Sequence, residues 1–440
     1  MNIFVDNISQ AYQSRVDYVV DFINDHPSCP AEVQLSCRLE TYDLRIQYGV
    51  DDREGDYQIL SQNIFFSEVV HTTSSLNANE YIWEKKSLYS VEKQRHEKRN
   101  FIEGRIFQFD LFEMMFFHLS RYEEYHCDAA GRDRWDMMRE SDQLLVRCGL
   151  EKKPVVDDLV VCFLEAIGVK TITHKTTIRI THDIDLITKF KSPLSFFRFN
   201  AYYLKNGLGI SAIQNLWSSY FKSIFSNEKP YDVFDSMLIE KPIDREIYFL
   251  IGGETAVDTP LDTSSDIFKK AIRLSKERGY QIGIHPSYAT WTDGSLLKKE
   301  KEILENIIDK EIIISRQHYL HFSFEKTISI LEDAGIKQDS TIGFNRRIGF
   351  RAGTGVGFIL FDHTRERASM VTEKPLTLMD SSLFEEANFG SRQFSKIGNS
   401  LIDDNEYGTE LTCNFHNSRF DDAQMYGLPQ DELYAKLTNG

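Results

Sequence analysis

Apolar and polar residues alternate over positions 44–48, Leu-Arg-Ile-Gln-Tyr, which predicts a half-buried strand. Over 109–125 the spacing changes to that of a helix: Phe109, Phe112, Met115, Phe116 and Leu119 fall on one face, which should pack on its own sheet or on a neighbouring domain. Glu123, Glu124 and Asp128 end that stretch before Gly131 and read as a solvated helix end without chemistry. Near residue 170 the pattern changes again. The β-branched run at 176–181 predicts a strand, and further strands are expected at 246–251, 281–284 and 312–315, with polar helical segments at 264–278 and 293–308 between them. Such alternation builds a parallel barrel or an open sheet, where ligands gather at the carboxyl ends of the strands. Two domains are expected: a smaller α+β domain over residues 1–170 and an α/β domain over 171–440.

Composition narrows the partners. A formal net charge of −16 over 440 residues opposes binding along a nucleic-acid backbone. The six cysteines are scattered, with no Cys-x-x-Cys pair, which fits reduced thiols in a cytoplasm rather than a disulfide framework. The first twenty residues have no basic run ahead of an apolar block and do not read as a secretory signal. No segment approaches the ~18 consecutive apolar residues of a membrane span. A cytoplasmic location is therefore expected.

One segment departs from the acidic background. An insertion within about 186–235 carries Lys189, Lys191, Arg198, Lys205 and Lys222, with no Asp or Glu over 186–227, and is rich in Phe and Tyr. Such a stretch can lie on an anionic membrane or grip a lipid-linked saccharide, making the protein membrane-peripheral. The plainer expectation is a lid that turns its aromatic residues inward and its lysines to water.

Candidate chemistry follows the strands. Thr-His-Asp-Ile-Asp at 181–185 sets two carboxylates, Asp183 and Asp185, at the end of the first strand of the second domain; one can hold a divalent cation and the other accept a proton. Asp-x-Asp alone also caps helices. Gly-Ile-His-Pro-Ser-Tyr at 283–288 places His285 after another strand, and Ser-Arg-Gln-His-Tyr-Leu at 315–320 adds His318 after a third. An Asp with two His makes a three-ligand site with room for water, the usual construction of a catalytic zinc centre. The Gly-rich turn at 349–355 carries Arg351, suited to clamping a carboxylate or a developing oxyanion, or to an ordinary surface ion pair. His416, after the segment beginning at 410, is placed to protonate a leaving group, or to serve as a structural histidine.

With these motifs in this order, residues from about 175 to 420 resemble the polysaccharide-deacetylase family, carbohydrate esterases with a distorted (β/α) barrel of NodB type. The resemblance implies Asp183 as general base, Asp185 as a metal ligand, His285 as the motif histidine, Arg351 as the residue orienting Asp183, and His416 as catalytic acid. Asp380 resembles the acidic position of a further family motif. The N-terminal region, with Phe-His-Leu-Ser-Arg-Tyr-Glu-Glu-Tyr at 117–125, resembles the uncharacterised domain preceding such barrels in Bacteroidetes-like members. One departure stands out: the family's second metal histidine, four residues after the first, is Ala289 here. His318 can restore the set from another strand; His182 is nearer and less natural. The implied activity is metal-dependent removal of acetyl groups from an N- or O-acetylated saccharide, with one divalent ion, zinc by preference. The alternatives are a metal-independent hydrolase of a cyclic amide or ureide, and a catalytically silent saccharide-binding scaffold.

Overall fold

The computed structural model describes the chain except residues 7, 50–54, 68–75, 206–208, 227–228, 242, 254, 389–390, 404–408, 427 and 440. The N-terminal region builds a six-stranded sheet in the order Gln34–Ser36, Asn2–Asp6, Leu44–Tyr48, Tyr57–Ile59, Ile106–Phe107, Ile102–Glu103. The first five strands run parallel and only the last pair is antiparallel, so the sheet is more nearly α/β than the α+β arrangement expected from sequence. Strands of two to five residues are too short for periodicity to report their direction. A three-stranded sheet, Lys86–Glu92, Asn77–Trp83 and Arg99–Asn100, lies beside it in the chain.

The larger sheet has nine strands, in the order Phe358–Asp362, Arg367–Glu373, Gln338–Asp339, Ile314–Ser315, Gln281–Ile284, Arg245–Phe249, Thr177–Ile184, Glu410–Asn414, Leu376–Met379. All neighbours are parallel except the first pair. The sheet curls as a half-barrel. The segment after Gln338–Asp339 reaches across to the far edge strand: Leu376 N–H donates to Ile342 O at 3.0 Å and Gly349 N–H to Thr377 O at 2.8 Å. Helices Asp266–Glu277 and Gly294–Ile308 lie where polar helical spacing placed them. Ser265 caps the first by accepting from Phe268 N–H, and Asp293 caps the second by accepting from Ser295 and Leu296 N–H.

The aromatic segment over 109–125 divides into helices Leu111–Leu119 and Tyr122–Tyr125, with Arg121 between them in the left-handed region at φ 53°. Every residue of the first helix is buried, not one face of it. It packs on the N-terminal side against Phe65 and Phe66 and on the other against Phe361, with Phe116 and Phe361 ring centroids 4.9 Å apart. One hydrophobic core therefore runs from Ile3 to Val371 through both regions.

Two buried histidines lie at this junction. His363 Nε2 lies 2.8 Å from Ser120 O, and because a carbonyl only accepts, this nitrogen carries the proton and donates. Burial pushes both His118 and His363 down to about 3. Each is neutral when folded and protonates near its ordinary value when unfolded, so the unfolded chain binds more protons below pH ~6.5 and stability falls with pH from there toward 3. The expected loss is about 1.4 kcal/mol per histidine for each pH unit below ~6.5. Urea unfolding at pH 8 and pH 5 checks it: the double variant His118→Gln/His363→Gln should lose about two protons' worth of pH slope relative to the parent.

Candidate functional site

The strand Thr177–Ile184 runs further than its β-branched half predicts and carries Asp183 inside it, with Asp185 just past its end. Side chains alternate across a strand, so His182 and Asp183 point to opposite faces. His182 is fully buried behind the sheet, its Nδ1 3.0 Å from Phe415 O and its Nε2 3.3 Å from Tyr434 Oη. It takes no part in the site, and burial holds it down at about 4.

Asp183 faces the other way into a polar cluster. Its Oδ1 accepts from Arg316 Nη1 at 2.9 Å and its Oδ2 from Asn414 Nδ2 at 2.8 Å. Arg316 is fully buried; Nη1 also reaches Thr181 Oγ1 and Asn414 Oδ1, while Nε and Nη2 donate to Ser340. Burial would raise the Asp183 pKa, but the charges of Arg316, His285 and His416 outweigh it and hold the carboxyl below its usual range. Asp183 is thus a fixed carboxylate.

Asp185, His285 and His318 bring ligand atoms within 4.8 Å of one another. The histidines are oriented from behind. His285 Nδ1 lies 2.5 Å from Arg316 O, which can only accept, so this nitrogen carries the proton and Nε2 is left as the electron-pair donor, 3.2 Å from Asp185 Oδ1. His318 Nδ1 lies 2.9 Å from Asp258 Oδ1, which likewise leaves Nε2 for the site. Asp258 itself accepts from Tyr288 N–H and Thr255 Oγ1. Its close approach depends on Gly253, at φ +111°, where a Cβ would fall 2.4 Å from the Asp258 Cβ. Asp185 Oδ1 is buried and has His285 Nε2 as its near neighbour. Two imidazole Nε2 atoms and a carboxylate oxygen turned toward one another suit a divalent cation such as zinc.

His416 completes the group. Its Nδ1 lies 2.7 Å from Asp380 Oδ1, its backbone N–H donates to Asp380 Oδ2, and its Nε2 lies 4.0 Å from Asp183 Oδ2 and 3.7 Å from Asp185 Oδ2. Burial favours the neutral ring, but Asp380, Asp185 and Asp183 together push it up to about 9, leaving His416 protonated at neutral pH.

Arg351 is placed differently from its expected role. It does not touch Asp183: Nε donates to Glu124 Oε1 at 3.0 Å, Nη2 to Glu124 Oε2, and Nη1 to Gly343 O. The residue that orients Asp183 is Arg316. Glu123 and Glu124, expected in solvent, are both buried, and Arg121 pairs with each. The Gly-rich turn around Arg351 is a junction with the N-terminal region rather than a free clamp: Phe350 N–H donates to Glu151 O, and Val156 N–H to Gly353 O. Gly349, at φ +137°, sits where a Cβ would lie 2.1 Å from Glu151 O.

The cavity over these residues has a volume of about 960 Å³ and is lined by Asp183, Asp185, His285, His318 and His416 on one side and by residues between Asp133 and Gln143 on the other. The N-terminal region thus supplies part of the wall. Aromatic rings gather there, with Trp135 5.7 Å from Tyr288 and 6.5 Å from Tyr319 between centroids. Tyr319, next to His318, holds φ 60°, a strained backbone for a residue with a large side chain. Ala289, where the motif histidine was missed, lies in the short 3-10 helix Tyr288–Trp291. Arg316, Asn414, Asp258 and Trp135 were not singled out from the sequence. Arg316, one residue past the strand Ile314–Ser315, and Asn414, the last residue of the strand Glu410–Asn414, carried a local signal.

No curated protein matches this chain. Residues 4–172 match the family described as "Family of unknown function (DUF7033)". Among solved structures, the chain is similar to the "Crystal structure of putative polysaccharide deacetylase from Mycobacterium smegmatis", with 12% identity and a TM-score of 0.33 over 60% of this chain and 90% of that one.

Proposed function

We propose that this protein is a metal-dependent hydrolase that removes acetyl groups from an N- or O-acetylated saccharide. The observation that carries the reading is a single cavity holding an open Asp-His-His donor set beside a fixed carboxylate, Asp183, and a histidine, His416, oriented by Asp380. Asp185, His285 and His318 would hold the ion. When bound, it would polarise the acetyl carbonyl and lower the pKa of an attacking water. Asp183, held by Arg316 and Asn414, accepts the proton that the water gives up as its oxygen joins the carbonyl carbon. His416, oriented by Asp380, gives its proton to the departing amine or alcohol as the C–N or C–O bond breaks. Acetate and the free amine or hydroxyl balance the step. The rings of Trp135, Tyr288 and Tyr319 offer flat apolar faces to the C–H face of a sugar, in a cavity large enough for more than one ring.

Metal content and acetate release test this together. The purified protein, dialysed against zinc and then freed of loose ion, should hold about one ion per chain. It should release acetate from acetylated hexosamine oligomers or O-acetylated sugars, and chelation should stop this. Asp258→Ala removes the partner of His318, together with the acceptor of Tyr288 N–H and Thr255 Oγ1, and is expected to weaken metal binding by roughly 10–100-fold. Acetate release that persists in the metal-free protein would support metal-independent hydrolysis; saccharide binding without acetate release, even with metal restored, would support a silent scaffold. Either outcome overturns the proposal.

A further inference from the structure

The insertion folds as two antiparallel-connected helices, Pro193–Lys205 and Ile210–Phe225, whose seam is a small hydrophobic cluster of Phe196, Tyr203, Ala212 and Leu216. Phe196 stacks on Tyr220 with centroids 4.0 Å apart, and Trp217 Nε1 donates to Asn200 Oδ1. The hairpin therefore closes its own core, yet it leaves large apolar side chains outside it. Leu194, Phe197 and Leu204 are exposed at positions i, i+3 and i+10 of the first helix, and Trp217, Phe221 and Ile224 at i, i+4 and i+7 of the second. On each helix this spacing gathers these three residues into one stripe; on the second helix the stripe borders the seam, where Trp217 packs edge-on against Phe196 with centroids 4.9 Å apart. The expectation of aromatic residues turned inward is met only by the seam.

Charge identifies what the stripes meet. Residues 186–227 contain five basic residues and no acidic one, in a chain of net charge −16. Lys189 is buried and paired with Asp421 and Asp422, while Lys191, Arg198, Lys205 and Lys222 are exposed. A second copy would bring basic hairpin against basic hairpin and acidic body against acidic body. An anionic lipid surface complements both the apolar stripe and the positive charge. No described helix is long and apolar enough to cross a membrane, so the fitting geometry is in-plane, at the level of the headgroups.

We infer that the 193–225 hairpin docks this protein on an anionic membrane surface. The hairpin is also tied to the rim of the cavity. The insertion that carries it begins just after Asp185, and its two ends are fastened to the segment following His416: Asn417 Nδ2 donates to Leu186 O at 2.8 Å and to Tyr231 O at 2.9 Å. Docking there brings the cavity mouth close to the lipid, where a membrane-attached saccharide is within reach. The docking itself does not depend on the hydrolase reading, because it is measured without turnover.

The test is co-sedimentation of the full chain with vesicles of phosphatidylcholine alone and with vesicles in which roughly a quarter of the lipid is phosphatidylglycerol. Binding is expected to the anionic vesicles only and to weaken in high salt. Leu204→Glu/Phe221→Glu should lower the partition by about tenfold or more, because exposed apolar area is lost and negative charge gained. Arg198→Glu/Lys205→Glu should do the same through charge alone. All four positions are exposed, so melting temperatures should match the parent, which separates lost docking from lost fold. The inference is overturned by no binding at low salt, by equal binding to both vesicles, or by binding that both double variants keep. Concentration-dependent dimerisation abolished by Phe221→Glu, without vesicle binding, overturns it in favour of a second copy.

Discussion

Replacing Asp183 by Asn is expected to lower kcat for acetate release by roughly 10²–10⁴-fold while metal content stays near one ion per chain. The residue is not among the three clustered donors, so its loss should leave the ion in place. What disappears is the group that takes the proton of the attacking water. The substitution is not neutral for the fold, because both carboxylate oxygens face N–H donors, Arg316 Nη1 and Asn414 Nδ2, and the new amide must turn its own NH₂ toward one of them. A stability cost of about 1–3 kcal/mol is expected from that mismatch, so turnover is compared on protein shown to be folded by its melting curve. Arg316→Lys separates positioning from proton transfer. A lysine keeps the charge beside Asp183 but lacks the planar fork that also grips Thr181, Asn414 and Ser340, so kcat should fall with little change in KM. Turnover retained in Asp183→Asn would remove this residue from the base role and leave the hydrolase reading to be rebuilt around His416.

The contrast between Arg316 and Asp183 shows where sequence stops being informative. A polar residue at the end of an apolar run is a local signal, and it marked Asp183, Asp185, His285, His318 and His416, all of which line one cavity. Four strands of the second region and the helices Asp266–Glu277 and Gly294–Ile308 were legible for the same reason, since period and capping are local properties, whereas the strands Gln338–Asp339, Phe358–Asp362, Arg367–Glu373 and Leu376–Met379 were not. Partner choice is not. Arg316 and Asp183 are 133 positions apart, Asn414 and Asp183 231, and Arg351 and Glu124 227. Nothing within a window of a dozen residues shows which arginine a carboxylate will meet. Glu123 and Glu124 look like a solvated helix end because their partner Arg121 sits in a left-handed kink that the apolar spacing over 109–125 does not announce. In the insertion, the same spacing that predicts a buried aromatic face also produces an exposed one. Only packing decides between them.

Breaking the Arg351–Glu124 pair is expected to give the largest stability loss of any single substitution considered. Both side chains are about 5% exposed, and Arg351 makes a two-pronged contact with the Glu124 carboxylate. Arg351→Met leaves Glu124 facing Arg121 alone in a buried setting, for an expected loss of about 3–5 kcal/mol in urea unfolding at neutral pH. Glu124→Gln/Arg351→Met removes both charges and should recover part of that loss, because no unpaired ion then remains buried. The pH dependence has a definite sign. Burial tends to raise the Glu124 pKa, but Arg351 and Arg121 outweigh it and hold it below the ordinary glutamate value. Its stabilisation is therefore present above pH ~4.3 and is lost as pH falls through the lower folded value. Arg351→Met should lack that part of the acid slope. The same variant decides what Arg351 does at the cavity wall. If it acts by holding the two regions together, Arg351→Met should lose stability and change KM through the displaced 133–143 wall, whereas Arg351→Lys should recover both in part. If instead Arg351→Met is as stable as the parent and loses only kcat, the arginine acts on the reacting groups, and the junction built around Glu124 is not what fixes it there.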